Sequence, residues 1–216
     1  MSKTVFSIEE KKQISEAVAS LEKESSGELV LYYAKSSDSY PEAAWKLTSI
    51  IGILFLSLTI FLSYNWLLPP YYTPLIVSLT VLLSMVITYF ISLFIPIIRT
   101  AITNTSVIEH RVLTKARDMF LQEQVFNTVE RTGILIYISA LERKVVVLGD
   151  SGINQKINQS DWEQVVKHVI DGIKSKQMTK GIIEAVEICK MLLLDNGFTI
   201  KTGDTNELHN SIRVEE

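Results

Sequence analysis

Apolar residues follow three different rhythms along this chain. Near the start they recur at Ile14, Ala17, Val18 and Leu21, the three- and four-residue spacing of an amphipathic helix. Ser7 and Glu10 stand at capping-box spacing ahead of them, so a helix is expected over about 8–24, ended by Ser25-Ser26-Gly27. The rhythm then changes. Residues 28–34 (ELVLYYA) and 133–140 (GILIYISA) are apolar at nearly every position, as in central strands covered on both faces. Lys144 to Leu148 (KVVVL) follows the turn Leu141-Glu142-Arg143 and returns as the second arm of an antiparallel hairpin. Helical spacing reappears at Ile108, Val112, Ala116, Met119 and Phe120. It appears again at Trp162, Val165, Val166, Val169 and Ile173, behind a second capping-box spacing at Ser160 and Glu163, with Gly149-Asp150-Ser151-Gly152 read as a loop before it. A last helix is expected over about 179–194, with Ile182, Ala185, Val186, Cys189 and Leu193 on one side and Gly197 as its stop.

The third rhythm is unbroken hydrophobicity. Residues 47–98 contain no Asp, Glu, Lys, Arg or His. They divide into two candidate spans, about 47–68 and 75–98, each longer than the roughly 20 residues that cross a ~30 Å hydrocarbon core. PPYYTP separates them, its prolines ending one helix and opening the next, with Tyr64, Trp66, Tyr71 and Tyr72 clustered at the turn as at a headgroup layer. Lys35 and Lys46 precede the pair, Arg99 and Arg111 follow it, and the turn has no basic residue. The positive-inside rule therefore places both termini in the cytoplasm, with the protein in the inner (cell) membrane. The opening MSKTVFSIEEKKQ has no apolar stretch that would serve as a signal peptide, which agrees with that orientation.

The soluble sequence falls into blocks 1–46 and 99–200, followed by a polar tail, 201–216, expected to be extended. The first block offers one helix and one strand, and a lone strand is not a sheet. It must pair with the strands of the second block. The fold class is thus α/β: one domain with a central sheet between helices, interrupted by a two-helix transmembrane hairpin at 47–98.

Charge narrows the function. With 21 Lys+Arg against 24 Asp+Glu the net charge is −3, which excludes a basic nucleic-acid-binding chain. No ionisable residue interrupts the spans, so a transport path through them has little support, and an anchor or a docking surface for other spans is the simpler reading. One cysteine, Cys189, excludes an internal disulfide, and its place on an apolar helix face suits a buried thiol. The three histidines, His110, His168 and His209, show no zinc spacing. Candidate chemistry rests on strand ends, where α/β sheets place ligand sites. Glu28 opens the first strand, Glu142 and Arg143 sit at the hairpin turn, and Asp150 ends the return strand. Converging carboxylates there would hold a hard cation through oxygen ligands. The plainer alternative makes Asp150 an Asx-turn residue and Glu142 a solvated hairpin tip.

The runs GELVLYYAKSSDSY and ERTGILIYISALERKVVVLGDSGI, a Trp-containing helix and the closing Asp204-Thr205-Asn206-Glu207-Leu208 resemble the TPM domain, in its membrane-bound bacterial branch, with DxNEL endings. The resemblance covers about 8–46 and 106–197 and implies a sheet of about four strands packed between helices. It implies two competing functions: assembly or maintenance of membrane protein complexes in some members, and acid phosphatase activity or calcium binding in others. The acidic-site idea transfers to Glu28 and Asp150 alone, as tentative metal positions, and calcium is the cation they would take. No other cofactor is expected. In the first reading the spans and the soluble domain contact an integral membrane complex and the bilayer. In the second, a calcium- or magnesium-dependent phosphomonoester hydrolase, Arg131 or Arg143 would neutralise phosphate. Arg131, Glu142 and Arg143 are the further candidates for ligand or partner contacts. An accessory protein is the expected function, without a catalytic residue assigned.

Overall fold

The computed structural model describes residues 5–69, 72–200 and 206–215, and the chain forms two compact units. The first joins Met1–Ser37 to Glu109–Glu216; the second is Asp38–Ile108.

In the first unit, α1 (Ile8–Glu24) begins at the expected capping box, with Glu10 N–H donating to Ser7 Oγ at 3.2 Å and Ser7 N–H to Glu10 Oε2 at 2.8 Å. Three strands lie where the apolar runs predict them: β1 (Glu28–Ala34), β2 (Gly133–Ser139) and β3 (Lys144–Gly149). β1 pairs parallel with β2 from Glu28↔Gly133 to Ala34↔Ser139, and β2 pairs antiparallel with β3. The tail supplies a fourth strand, β4 (Arg213–Glu215), parallel to β1 opposite Tyr32–Ala34. The mixed sheet has the order β3-β2-β1-β4. Every residue of β1 and β2 is buried, as their unbroken apolarity requires.

Alternation assigns the two faces. Leu29, Leu31, Tyr33, Ile134, Ile136, Ile138, Val145 and Val147 join the core with Ile14, Val18 and Leu21 of α1. The same core includes Val165 and Val169 of α7 (Glu163–Lys174) and Ile182, Val186 and Leu193 of α8 (Met178–Asp195), which follow α6 (Ser151–Asn154). The other face turns to α5 (Thr105–Gln122), whose Val112, Ala116 and Met119 are buried. Ion pairs tie α5 to both edge strands: Lys144 to Glu109 at 2.8 Å, and Lys115 to Glu215 at 3.0 Å.

Three local expectations are corrected. The capping box of the Trp helix is made by Asn158 and Asp161 and opens a single 3₁₀ turn, Gln159–Trp162, ahead of α7; Ser160 and Glu163 do not form it. Residues 151–154 are a helical turn, not a loop, because Asp150 caps them. The tail is not free, since its described part carries β4; residues 201–205 and 216 lie outside the described residues. Cys189 is fully buried, and burial pushes its thiol up to about 12. A maleimide at neutral pH should therefore leave the native chain unmodified and label it only after denaturation, which intact-mass spectrometry reads directly.

The second unit holds α2 (Pro41–Tyr64) and α3 (Pro74–Phe94), long and apolar enough to cross a membrane, and a short α4 (Pro96–Ile102). α2 starts ahead of the uncharged stretch because Glu42 and Lys46 are compatible with helix though not with hydrocarbon. α3 stops at Phe94, four residues short of the expected end: Pro96 drives Ile95 out of helical geometry, to φ −120° and ψ 80°. The two long helices run antiparallel and close. A Cβ on Gly52 would lie 2.9 Å from Met85 Cγ, and the Trp45 and Tyr89 rings are 5.0 Å apart. Eight of their hydroxyls bond within the helix that carries them. Thr48, Ser57, Thr59, Ser78, Thr80, Ser84, Thr88 and Ser92 all donate to a carbonyl three or four residues earlier.

Candidate functional site

The parallel pair β1 and β2 gives the sheet two chemically different ends, and the sequence candidates divide between them. Glu28, Arg131 and Asp150 share the amino end. Glu28 pairs in register with Gly133, and Asp150 N–H donates to Gly133 O at 2.9 Å, so both carboxylates flank one glycine. Glu142 and Arg143 are at the opposite, carboxyl end, in the β2–β3 turn. The five groups do not converge on one point.

At the amino end each group already has protein partners. Asp150 is 7% exposed; its Oδ1 accepts from Ser151 N–H at 2.7 Å as the cap of α6. Its Oδ2 faces Arg131 Nε at 2.9 Å, an ion pair by distance without the alignment of a hydrogen bond. Arg131 is held for this contact. It adopts a left-handed conformation, φ 58°, in the turn before β2, donates from Nη1 to Phe126 O at 3.1 Å and lies over the Phe126 ring at 5.7 Å. Gly152 closes the turn from the other side, donating to Arg131 O at 3.0 Å; a Cβ there would come within 2.5 Å of Glu130 O. The Asx-type role expected as the plainer reading of Asp150 is thus the observed one, with an ion pair added. Asp150→Asn should keep the cap and lose only the charge contact to a half-exposed guanidinium, costing about 1 kcal/mol or less; Asp150→Ala should cost about 1–2 kcal/mol, both read as shifts in urea midpoint.

Glu28 is buried, and its Oε2 accepts from Leu208 N–H at 3.1 Å. Beside it stands Glu22 of α1, which nothing in the sequence singles out. Glu22 Oε1 accepts from Leu29 N–H at 3.2 Å, and Oε2 accepts from Asn206 Nδ2 at 2.9 Å and from Asn210 Nδ2. Burial, and then the Glu28 charge, push Glu22 up to about 8. The Asn-Glu-Leu of the tail therefore lies over two carboxylates; Glu207 also accepts from Val129 N–H at 3.1 Å. The missed signal is spacing across elements: Glu22 and Glu28 are separated by the break between helix and strand, so no single-element period links them.

The carboxyl end carries a hydroxyl network. Ser37 Oγ lies 2.7 Å from Ser139 Oγ and 3.0 Å from Tyr137 Oη, and Ser37 N–H donates to Glu142 Oε1 at 3.0 Å. Ser139 Oγ donates to Glu142 Oε2 in a short hydrogen bond. Burial pushes the Tyr137 phenol up to about 12, so it stays a neutral donor. Ser139 is fully buried and out of reach of a substrate. This network fastens the exit of β1 to the β2–β3 turn. Glu142 is accordingly a tie between strands and not a solvated tip, whereas Arg143 is exposed at φ 52°.

Against known proteins, the family model of the TPM domain matches residues 97–191. The chain carries a TPM domain. The match starts at the end of the apolar hairpin and runs into α8, so it takes in β2, β3 and the Asp150 turn and leaves out β1. The solved NMR structure of the BA42 protein from the psychrophilic bacterium Bizionia argentinensis shares the fold, with a TM-score of 0.60 at 20% identity over 100% of both chains. No curated protein matches the sequence. In the sheet of this chain, Glu28 of β1 and Asp150 after β3 come together only because the strand ahead of the hairpin pairs with the matched segment.

Proposed function

We propose that this chain is a membrane-anchored accessory protein: α2 and α3 cross the cell membrane and dock on partner spans, while the TPM domain, on the cytoplasmic side with both termini, binds or stabilises an integral membrane protein complex. The observation that carries the reading is the pair of long helices in which eight serine and threonine hydroxyls, from Thr48 to Ser92, donate to carbonyls of their own helix. That is what hydrocarbon demands of a spanning helix, while their large apolar side chains, among them Ile53, Ile60, Phe61, Leu82 and Phe90, face outward. Co-purification in mild detergent should recover a specific membrane complex, and Gly52→Leu, which wedges the helix contact against Met85, should reduce it; recovery of no specific partner would sink the proposal. A reporter fused after Glu216 should read cytoplasmic, and a cysteine in the 70–74 turn should be labelled from outside.

The rival reading is a phosphomonoester hydrolase using calcium or magnesium at Glu28 and Asp150. Its best support is the half-exposed Arg131 guanidinium, a group suited to phosphate. The donor set fits a resident cation poorly. Asp150 spends one oxygen on a helix cap and turns the other to a guanidinium that a cation would have to displace. Purified full-length protein should therefore show no metal-dependent release of phosphate from a generic phosphomonoester, and calcium should leave its melting temperature unmoved. Activity lost in Asp150→Ala would favour the hydrolase.

A further inference from the structure

The outward flank of α7 carries a groove of about 740 Å³ lined by Glu163, Val166, Lys167, Ile170, Asp171 and Lys174. Steps of three and four residues set all six on one side of the helix. Val166 and Ile170 are only partly buried, at the border of the main core. The four charged residues are exposed, and among the described residues they form no ion pair. Glu163 and Lys167, and Lys167 and Asp171, have the spacing at which helical charges commonly close on each other, yet they do not.

The charges alternate along this stripe: negative at Glu163, positive at Lys167, negative at Asp171, positive at Lys174. Reversed end for end, the series is its own complement. A second α7 laid antiparallel sets Glu163 opposite Lys174, Lys167 opposite Asp171 and Val166 opposite Ile170, each pairing occurring twice. The midpoints of the three pairings all fall between His168 and Val169, within about 1.5 Å along a helix. One two-fold axis therefore satisfies all of them, as an isologous contact requires. That axis also keeps like flanks together, with the apolar pair on the core side of the stripe and the Lys167–Asp171 pairs on the outer side. We propose that α7 is a self-association face: two copies of this chain pair through antiparallel α7 helices, with Val166 meeting Ile170 and four ion pairs bordering them.

The adjoining edge of β3 is a poorer candidate, because two of its carbonyls are already taken. Gln159 Nε2 donates to Val147 O at 3.3 Å, and Asn154 Nδ2 to Gly149 O at 2.6 Å. Exposed ion pairs add little affinity, so the charges set the register and reject other alignments while the apolar contact supplies adhesion. A 12-residue helix is about 18 Å long, too short to bury the roughly 1,200 Å² of a stable interface unaided. The pairing is accordingly concentration-dependent. It belongs to the TPM domain and stands independently of what binds the α2–α3 spans.

Glu163→Cys/Lys174→Cys in the full chain, purified in mild detergent, reads the alignment directly. Within one chain the two positions lie at opposite ends of α7, about 16 Å apart along its axis, and cannot form a disulfide. Between paired copies they face each other at both ends. Mild oxidation should give a covalent dimer on a non-reducing gel, its yield rising with protein concentration and several-fold above that of either single variant, whose like positions stay far apart in the pair. Buried Cys189 does not compete. Adding Lys167→Glu sets like charges across the axis and should cut the yield roughly tenfold. Adding Asp171→Lys as well restores opposite signs and should recover it, with the circular-dichroism spectrum unchanged throughout. Equal yields from single and double cysteine variants, no dimer at any concentration, or a yield indifferent to Lys167→Glu would each overturn the proposal. So would oxidation in the membranes of the producing cell that links the double variant to a different protein and not to itself.

Discussion

Residues 109–216 expressed alone are expected to show no cooperative unfolding transition, although they contain three of the four strands and most of the matched TPM segment. β1 lies between β2 and β4, and all seven of its residues are buried. Without it, β2 loses a seven-residue parallel ladder, and Leu29, Leu31 and Tyr33 leave the main core. A buried aliphatic or aromatic side chain contributes roughly 1.5–3 kcal/mol. Loss of several at once exceeds the ~5–15 kcal/mol net stability of a typical domain. β4 would also have no strand to pair with. Joining 1–37 to 109–216 through a flexible linker should restore a single transition by urea denaturation monitored by circular dichroism. A fragment 109–216 that already melts cooperatively would refute the inserted-hairpin organisation.

Gly133→Ala should be the most damaging conservative substitution in the TPM domain. A Cβ at this position would sit 1.8 Å from Val125 O, and backbone cannot swing aside as a flexible side chain can. Gly133 also pairs with Glu28 in register and accepts from Asp150 N–H, so a shift there disturbs both ends of the acidic turn together. The cost expected is about 3 kcal/mol or more, in the upper range for single substitutions. For a domain of this size that is a fall of about 6–12 °C in melting temperature. Gly197→Ala is a control: its φ of 76° carries strain, but the nearest atom to a new Cβ is a lysine terminus 3.8 Å away, so about 1 kcal/mol is expected.

The acidic region was legible only in part. Glu28 and Asp150 stand out in the sequence because each ends an apolar strand, and the structure sets both beside Gly133. Glu142 and Arg143 read as members of the same cluster because they too lie at a strand end. The sequence does not say which end, and the β2–β3 hairpin reverses the chain, sending them to the far edge. Glu22 was hidden as one more charged residue on an amphipathic helix. Asn206 and Asn210 were hidden in a polar tail with neither apolar period, since β4 gains its place through three residues of backbone pairing and through side-chain amides. The single 3₁₀ turn before α7 was missed because Ser160 and Glu163 imitate a capping box two residues after the real one.

The local sequence by itself determined α1, β1, β2, β3 and the identity of the apolar hairpin. Each rests on a periodicity, a cap or an uninterrupted apolar run that needs no distant partner to be read. It also implied that β1 must find its partners across the hairpin, because a lone, fully apolar strand has no other stable fate. Tertiary structure alone decided the sheet order, the fourth strand and the partition of charged residues between the two ends of the sheet. Those depend on which backbones meet across more than 70 residues of intervening chain, as Glu28 and Gly133 do. Burial decided the chemistry. A carboxylate at Glu22 is ordinary on an isolated helix, and burial beside Glu28 pushes it up to about 8.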